Sequence, residues 1–185
     1  MILTFKFHID YIVAKAYRML GFILRVSKDF RNDTTLILLY NCFVRSLLEY
    51  GSVVWNPQYK IYIDTIEKIQ HKFIKYLNLK CFTLDVNPPK MTSLLDRRIL
   101  RDQSFLYKVI HNLNDSPFLL SKICFRCTKL NTRNNALFHL PSTRTKYARN
   151  KFIYRSCKNY NRKFNDLDMF SSSLNTFKRK VSMHL

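Results

Sequence analysis

The chain predicts an all-α protein, a bundle of four or five helices followed by an irregular basic segment with one or two further helices. Three observations predict it. Two glycines and five prolines in 185 residues leave few points at which a turn-rich β fold could reverse. Apolar side chains recur at steps of three and four over long stretches, which is one face of a helix. The hydrophobic fraction, 47%, is enough for a real core in a chain of this length.

The first residues, Met1 to Phe7, suit the trailing end of a strand. From Ile9 the positions Ile12, Val13, Ala16, Met19, Leu20, Ile23 and Leu24 form a helical stripe, with Lys15, Arg18 and Arg25 on other faces. A polar hinge, Ser27 to Asn32, separates this from a second helix capped by Asp33 or Thr34. Its apolar face is read as Leu36, Leu39, Tyr40, Phe43, Val44, Leu47 and Leu48. Gly51 ends it, and Trp55, just before Asn56-Pro57, is expected to pack back on the helix end. Of these residues Leu39, Phe43, Leu47 and Trp55 are predicted core.

Tyr59 to Leu79 reads as a third helix. Ile63, Ile66, Ile69, Phe73, Ile74 and Leu77 form its buried side, and Phe73 joins the predicted core. Lys68, His71, Lys72 and Lys75, interleaved with Tyr62 and Tyr76, form a candidate basic-aromatic surface on its other side. The competing reading is an ordinary solvated helix face. Asn87-Pro88-Pro89 breaks the chain. A fourth helix starts near Thr92 or Ser93, with Leu106 as its core residue and Arg97, Arg98 and Arg101 clustered on its first half. Those arginines face phosphate, pair with Asp96 and Asp102, or are simply solvated. Pro117 to Ile123 is a short closing helix.

Composition changes after Phe125, and a domain boundary is placed there: residues 1–125 as the helical bundle, 126–185 as a basic C-terminal segment. The segment carries fourteen basic side chains and two acids, so it is more cationic than the bundle despite being half its length. Leu137 to Leu140 suits an extended piece. Phe152 to Phe164 and Ser172 to His184 suit amphipathic helices, the second capped by a serine.

The balance of 32 Lys and Arg against 12 Asp and Glu, a net +20, bears on partners rather than fold, and the usual partner of such a charge is a polyanion. No signal-peptide core is uninterrupted at the N-terminus, and no apolar run approaches the roughly 20 residues of a membrane helix. Five cysteines without a paired pattern suit a reducing, intracellular setting, nuclear or cytoplasmic. Cys124 and Cys127 have knuckle spacing, and His139 and Cys157 are the nearest residues to complete a zinc site. The gaps lack a second tight pair, so free thiols are the preferred reading and no metal is assigned. Asp166 and Asp168 are read as balancing lysines rather than holding magnesium. Serine, histidine and aspartate show no triad spacing.

Several ordered pieces carry a family resemblance. LGFILR, KDF, LLY and VRSLLEYGSVVWNP come first in the comparison, with LTFKFHIDYIVAKAYRMLGFI around the first of them. IDTIEKIQHKFIKYL, RRILRDQSFLYKVIHNL, FHLPSTRT and YN…LDMFSSSLNTFKRK follow. Together they resemble the region after the polymerase palm in non-LTR (LINE-like, jockey-type) retrotransposon reverse transcriptases, over nearly the whole chain. The resemblance implies a thumb-like, non-catalytic fragment of an RNA-directed DNA polymerase that holds RNA, DNA or an RNA–DNA hybrid beside a palm domain. The family's catalytic carboxylates and their Mg²⁺ belong to that palm. This sequence has no adjacent Asp pair, so no catalytic residue and no cofactor carries over to it. The residues expected to touch nucleic acid are Arg18, Arg25, Lys68, Lys72, Lys75, Arg97, Arg98, Arg101, Arg144, Lys146 and Arg149. The alternative is a structural module that packs on a palm, or a decayed element with no present function.

Overall fold

A computed structural model describes residues 5–29, 32–84, 91–126 and 136–185, and the fold is all-α. The chain forms two compact units, Met1–Leu95 and Asp96–Leu185. The division therefore falls after Leu95, and the boundary expected after residue 125 lies inside the second unit.

In the first unit, α1 (Lys6–Val26) buries Ile9, Ile12, Ala16, Leu20 and Ile23. Lys6 and Phe7 already belong to this helix, which corrects the strand expected for the first seven residues; Met1 to Thr4 lie outside the described residues. The next helix opens at α2 (Asp33–Leu39), widens into a π-helical segment (Tyr40–Arg45) and closes as α3 (Ser46–Glu49). Its cap is one residue earlier than expected: the Asn32 side chain accepts the Thr34 N–H at 2.9 Å. The buried positions are Leu36, Tyr40, Val44 and Leu48, a strict step of four. An α-helix would let such a row drift around its axis. The wider π turn, closed one residue later, holds it on one face. The predicted core is corrected accordingly. Phe43 is 48% exposed, while Leu39 and Leu47 are half-buried flanks.

Gly51, at φ +61°, turns the chain between α3 and α4 (Ser52–Trp55). That left-handed conformation, rather than crowding, is what asks for glycine, since an added Cβ would meet only ordinary contacts at 3.8 Å and beyond. Trp55 does pack back on the helix end. It is buried, its indole N–H donates to the Tyr50 carbonyl at 2.8 Å, and the His8 ring meets it edge-on at 5.3 Å. From there α5 (Lys60–Leu84) brings Ile66, Ile69, Phe73 and Leu77 into the same core. The Phe73 ring stacks on Tyr40 at 4.2 Å. Gln70 then ties the unit together, accepting from the Tyr40 hydroxyl at 3.4 Å and donating to the Thr92 carbonyl at 2.8 Å.

The second unit is organised by α6 (Leu94–Ile110), whose first residue still belongs to the core of the first unit. The Leu95 N–H is one of the orphan amides of its first turn, and the Glu67 carboxylate of α5 accepts from it at 2.7 Å. Beyond that turn α6 is enclosed around most of its circumference: Arg98, Ile99, Asp102, Gln103, Leu106, Tyr107 and Val109 are all buried. After the short α7 (Pro117–Leu120), Phe125 and Phe138 form an antiparallel bridge. Arg126 donates to the Leu137 carbonyl at 2.9 Å and His139 to that of Cys124 at 2.8 Å. This pattern turns the N–H and C=O of Phe138 away from Phe125. Both are met by Asn161: its carbonyl oxygen accepts the Phe138 N–H at 3.1 Å and its amide donates to the Phe138 C=O at 2.8 Å.

The basic segment completes this unit with α8 (Lys146–Asn150), α9 (Phe152–Asn159), a π-helical turn (Tyr160–Phe164) and α10 (Leu174–Met183). Ser173 caps α10, accepting the Thr176 N–H at 3.3 Å, as a serine cap was expected to. The link that binds α6 to this segment is ionic. Arg155 donates to both Asp102 carboxylate oxygens, at 2.9 and 3.1 Å, and its third nitrogen reaches the Asn150 carbonyl at 2.9 Å. Gln103 donates to the Ser156 carbonyl at 3.0 Å beside it. These buried polar partners join all but the first turn of α6 to the later segment. Tyr107 and His111 extend the seam to the Ser172 and Met169 carbonyls, at 2.6 and 2.8 Å. Among the described residues no helix is long and apolar enough to cross a membrane.

Candidate nucleic-acid interface

In the first unit α1 and α5 lie side by side, and their contacts advance in the same direction along both. Lys72 sits over the Tyr17 ring, 5.7 Å from its centroid. Further along, Ser27 and Tyr76 share a hydroxyl hydrogen bond at 3.1 Å, and the Lys80 ammonium donates to the Ser27 and Lys28 carbonyls. Each helix buries one stripe, so the opposite stripe faces water. Arg18 and Arg25 on α1 and Lys68, Lys72 and Lys75 on α5 all stand exposed. Asp10 and Asp64 are the exposed acids of the two helices among the described residues, against these five cations and Lys6, Lys15 and Lys60.

The aromatic half of the expected α5 surface is not there. Tyr62 and Tyr76 are half-buried against the core, and the Tyr76 hydroxyl is held at Ser27. Exposed rings appear instead on α1, where Phe7, Tyr11 and Phe22 are 84%, 60% and 53% exposed. Sequence reasoning missed them because only the inward stripe of α1 was followed. The same period, read from Phe7, would have found the outward one.

In the second unit the α6 arginines part company. Arg98 is 1% exposed and cannot meet a phosphate, which removes it from the predicted surface. The cause is the enclosure of α6, which leaves this position no path to water. Arg97 and Arg101 are half-buried. Asp102, expected to balance these arginines, pairs with Arg155 of the later segment. Arg144, Lys146 and Arg149 are exposed, around α8. Thr145 caps that helix by accepting the Ala148 N–H at 3.2 Å, and the Arg149 guanidinium is steadied on the Thr143 hydroxyl and carbonyl, both at 3.2 Å. Next to them, Lys151 covers the exposed Tyr147 ring at 5.5 Å, a cation–aromatic pair that the sequence reading did not single out.

The cysteine and carboxylate constellations take structural roles. Cys124 is exposed and lies across the bridge from His139, while burial pushes the Cys157 thiol up to about 12, so it stays a neutral core side chain. Cys127 lies outside the described residues. Asp168 accepts the backbone N–H groups of Phe170 and Ser171, at 2.8 and 3.3 Å. These bonds first, and the Lys180 charge after them, hold its carboxyl below its ordinary value. Among the described residues no group of three His, Cys, Asp or Glu side chains is arranged to hold a metal. What remains is a set of fixed helix faces carrying exposed cations, able to hold phosphates without reading bases. No protein-family model, curated protein or solved structure matches the chain.

Proposed function

We propose that this chain binds nucleic acid without catalysis, as the thumb-like, post-palm piece of a non-LTR retrotransposon reverse transcriptase that its sequence resembles. The observation that carries the reading is the pairing of α1 and α5, which sets Arg18, Arg25, Lys68, Lys72 and Lys75 in water on two adjacent rigid helices. A template–primer duplex is recognised mainly through its backbone and shape, and cations on fixed helices supply that contact without sequence preference. Arg144, Lys146 and Arg149 in the second unit extend the same chemistry. The metal-binding carboxylates of polymerisation would come from the palm of the parent enzyme, since this sequence has no adjacent Asp pair. A packing module for that palm is the second reading. It draws on Leu38 and Phe43, apolar side chains left exposed on the helix that carries the first core.

The test is binding of the chain to an RNA–DNA hybrid, duplex DNA and single-stranded RNA across a salt series. A steep loss of affinity with salt is expected. Replacing Lys68, Lys72 and Lys75 together by alanine should lower the log–log slope by roughly 2 to 3, from the ~0.9 contributed by each neutralised duplex phosphate. A folded chain that ignores all three ligands at low salt would leave the packing module.

A further inference from the structure

We infer that the outward face of α1 is a stacking platform for unpaired nucleotides, so that this helix holds single-stranded nucleic acid while the lysines of α5 hold duplex backbone. The inference deepens the nucleic-acid reading above and rests on it. Phe7, Tyr11, Arg18, Phe22 and Arg25 fall within an arc of about 60° at 100° per residue, with Lys15 at its edge. That arc is centred opposite the buried stripe Ile9, Ile12, Ala16, Leu20 and Ile23. Rings and cations thus share one line, two rings first and then Arg18, Phe22 and Arg25, with Asp10 as the exposed acid beside it.

The spacing selects the ligand. Phe7 and Tyr11 are one helical turn apart, as are Arg18 and Phe22, which is about 6 Å at 1.5 Å per residue. Bases within a duplex strand are about 3.4 Å apart and close their faces against each other, so a duplex offers these rings nothing to stack on. A strand spread over the platform has to be unstacked. From Phe7 to Arg25 the line runs about 27 Å, room for a few nucleotides, with Lys15 one turn beyond Tyr11 and with Arg18 and Arg25 flanking Phe22 to take phosphates between bases. A protein partner laid on the same face would have to bury Arg18 and Arg25 along with the rings. A polyanion neutralises them, and the chain's net +20 draws it in.

The experiment compares an oligothymidine strand, which has little structure of its own, with a blunt RNA–DNA hybrid. The full chain is used as wild type, as Phe7→Ala/Tyr11→Ala/Phe22→Ala, and as Tyr11→Trp. All three rings are on the surface, and circular dichroism checks that the fold is kept. The triple variant should bind the strand at least about tenfold more weakly, as the loss of base stacking predicts. Its hybrid binding should change less than about twofold, and Tyr11→Trp should retain strand binding. A triple variant that binds the strand like wild type would overturn the platform and leave the backbone reading standing, with a protein partner as the occupant of this face. Wild type that binds neither probe would overturn both.

Discussion

At the scale of single residues, the second unit rests on a charge that sequence alone assigns to the surface. Asp102 and Arg155 are both buried and joined by two hydrogen bonds. Such a pair contributes little over an apolar pair of the same size, but breaking it leaves a charge stranded out of water. Asp102→Ala is therefore expected to destabilise the protein by about 3–5 kcal/mol in urea unfolding, and an Asp102→Leu/Arg155→Met double variant by much less. Cys157 gives a second expectation. Its thiol is raised from an ordinary 9.0 to about 12, and the Tyr160 hydroxyl from 10.0 to about 12, both chiefly by burial. A folded state that keeps a proton the unfolded chain gives up loses stability as pH rises. The contribution is complete below pH 9 and should fall away between about pH 9 and 12, seen as a falling Tm. At pH 8 a maleimide should modify Cys42 and Cys124 in the native protein, and Cys157 only on unfolding. None of this was legible beforehand, because neither the partner of an aspartate nor the depth of a thiol is written in residue spacing.

At the scale of elements, periodicity read the helices well and their rotation less well. The helices over α1, α5, α6 and α10 were found from apolar spacing, because each buries a regular stripe. The helix from Asp33 was found too, but its π-helical segment moved Phe43 out of the core and kept Leu36, Tyr40, Val44 and Leu48 in line. An assumed 3.6-residue period cannot anticipate a local change of period. The register is open to a paired test. Phe73→Ala removes a ring stacked on Tyr40 and should cost about 3–5 kcal/mol, while Phe43→Ala should cost under about 0.5 kcal/mol. Equal costs would return Phe43 to the core. The same blindness produced the misjudged α6, where a helix enclosed on most sides hides Arg98 under a pattern that looks amphipathic from sequence.

At the scale of the whole molecule, charge was legible and its address was not. Composition gave the excess of cations, and the exposed positions Arg18, Arg25, Lys68, Lys72, Lys75, Arg144, Lys146 and Arg149 coincide with the predicted surface. Arg98 does not, and the rings that would work with these cations lie on α1 rather than α5. The chain divides into compact units after Leu95, a different place from the change in composition. A jump in basic content marks residue 126, but Asp102 and Gln103 reach into the later segment for their partners, and that bond outweighs composition. Part of the segment's positive charge is therefore structural. Arg155, one of its fourteen basic side chains, is the counter-ion of a core carboxylate.

Asn161 gives this fold a safeguard against misassembly. A short extended pair offers its outer peptide groups to any other chain that can lie alongside, which is how strand edges seed aggregates. Here the outward N–H and C=O of Phe138 are already taken by a side-chain amide that mimics one residue of a neighbouring strand and has no backbone to continue it. The pairing is stopped at a single bridge. An aspartate in that place could still accept the N–H, but it would set a carboxylate oxygen against the carbonyl, reopening the edge at the one point where it is closed.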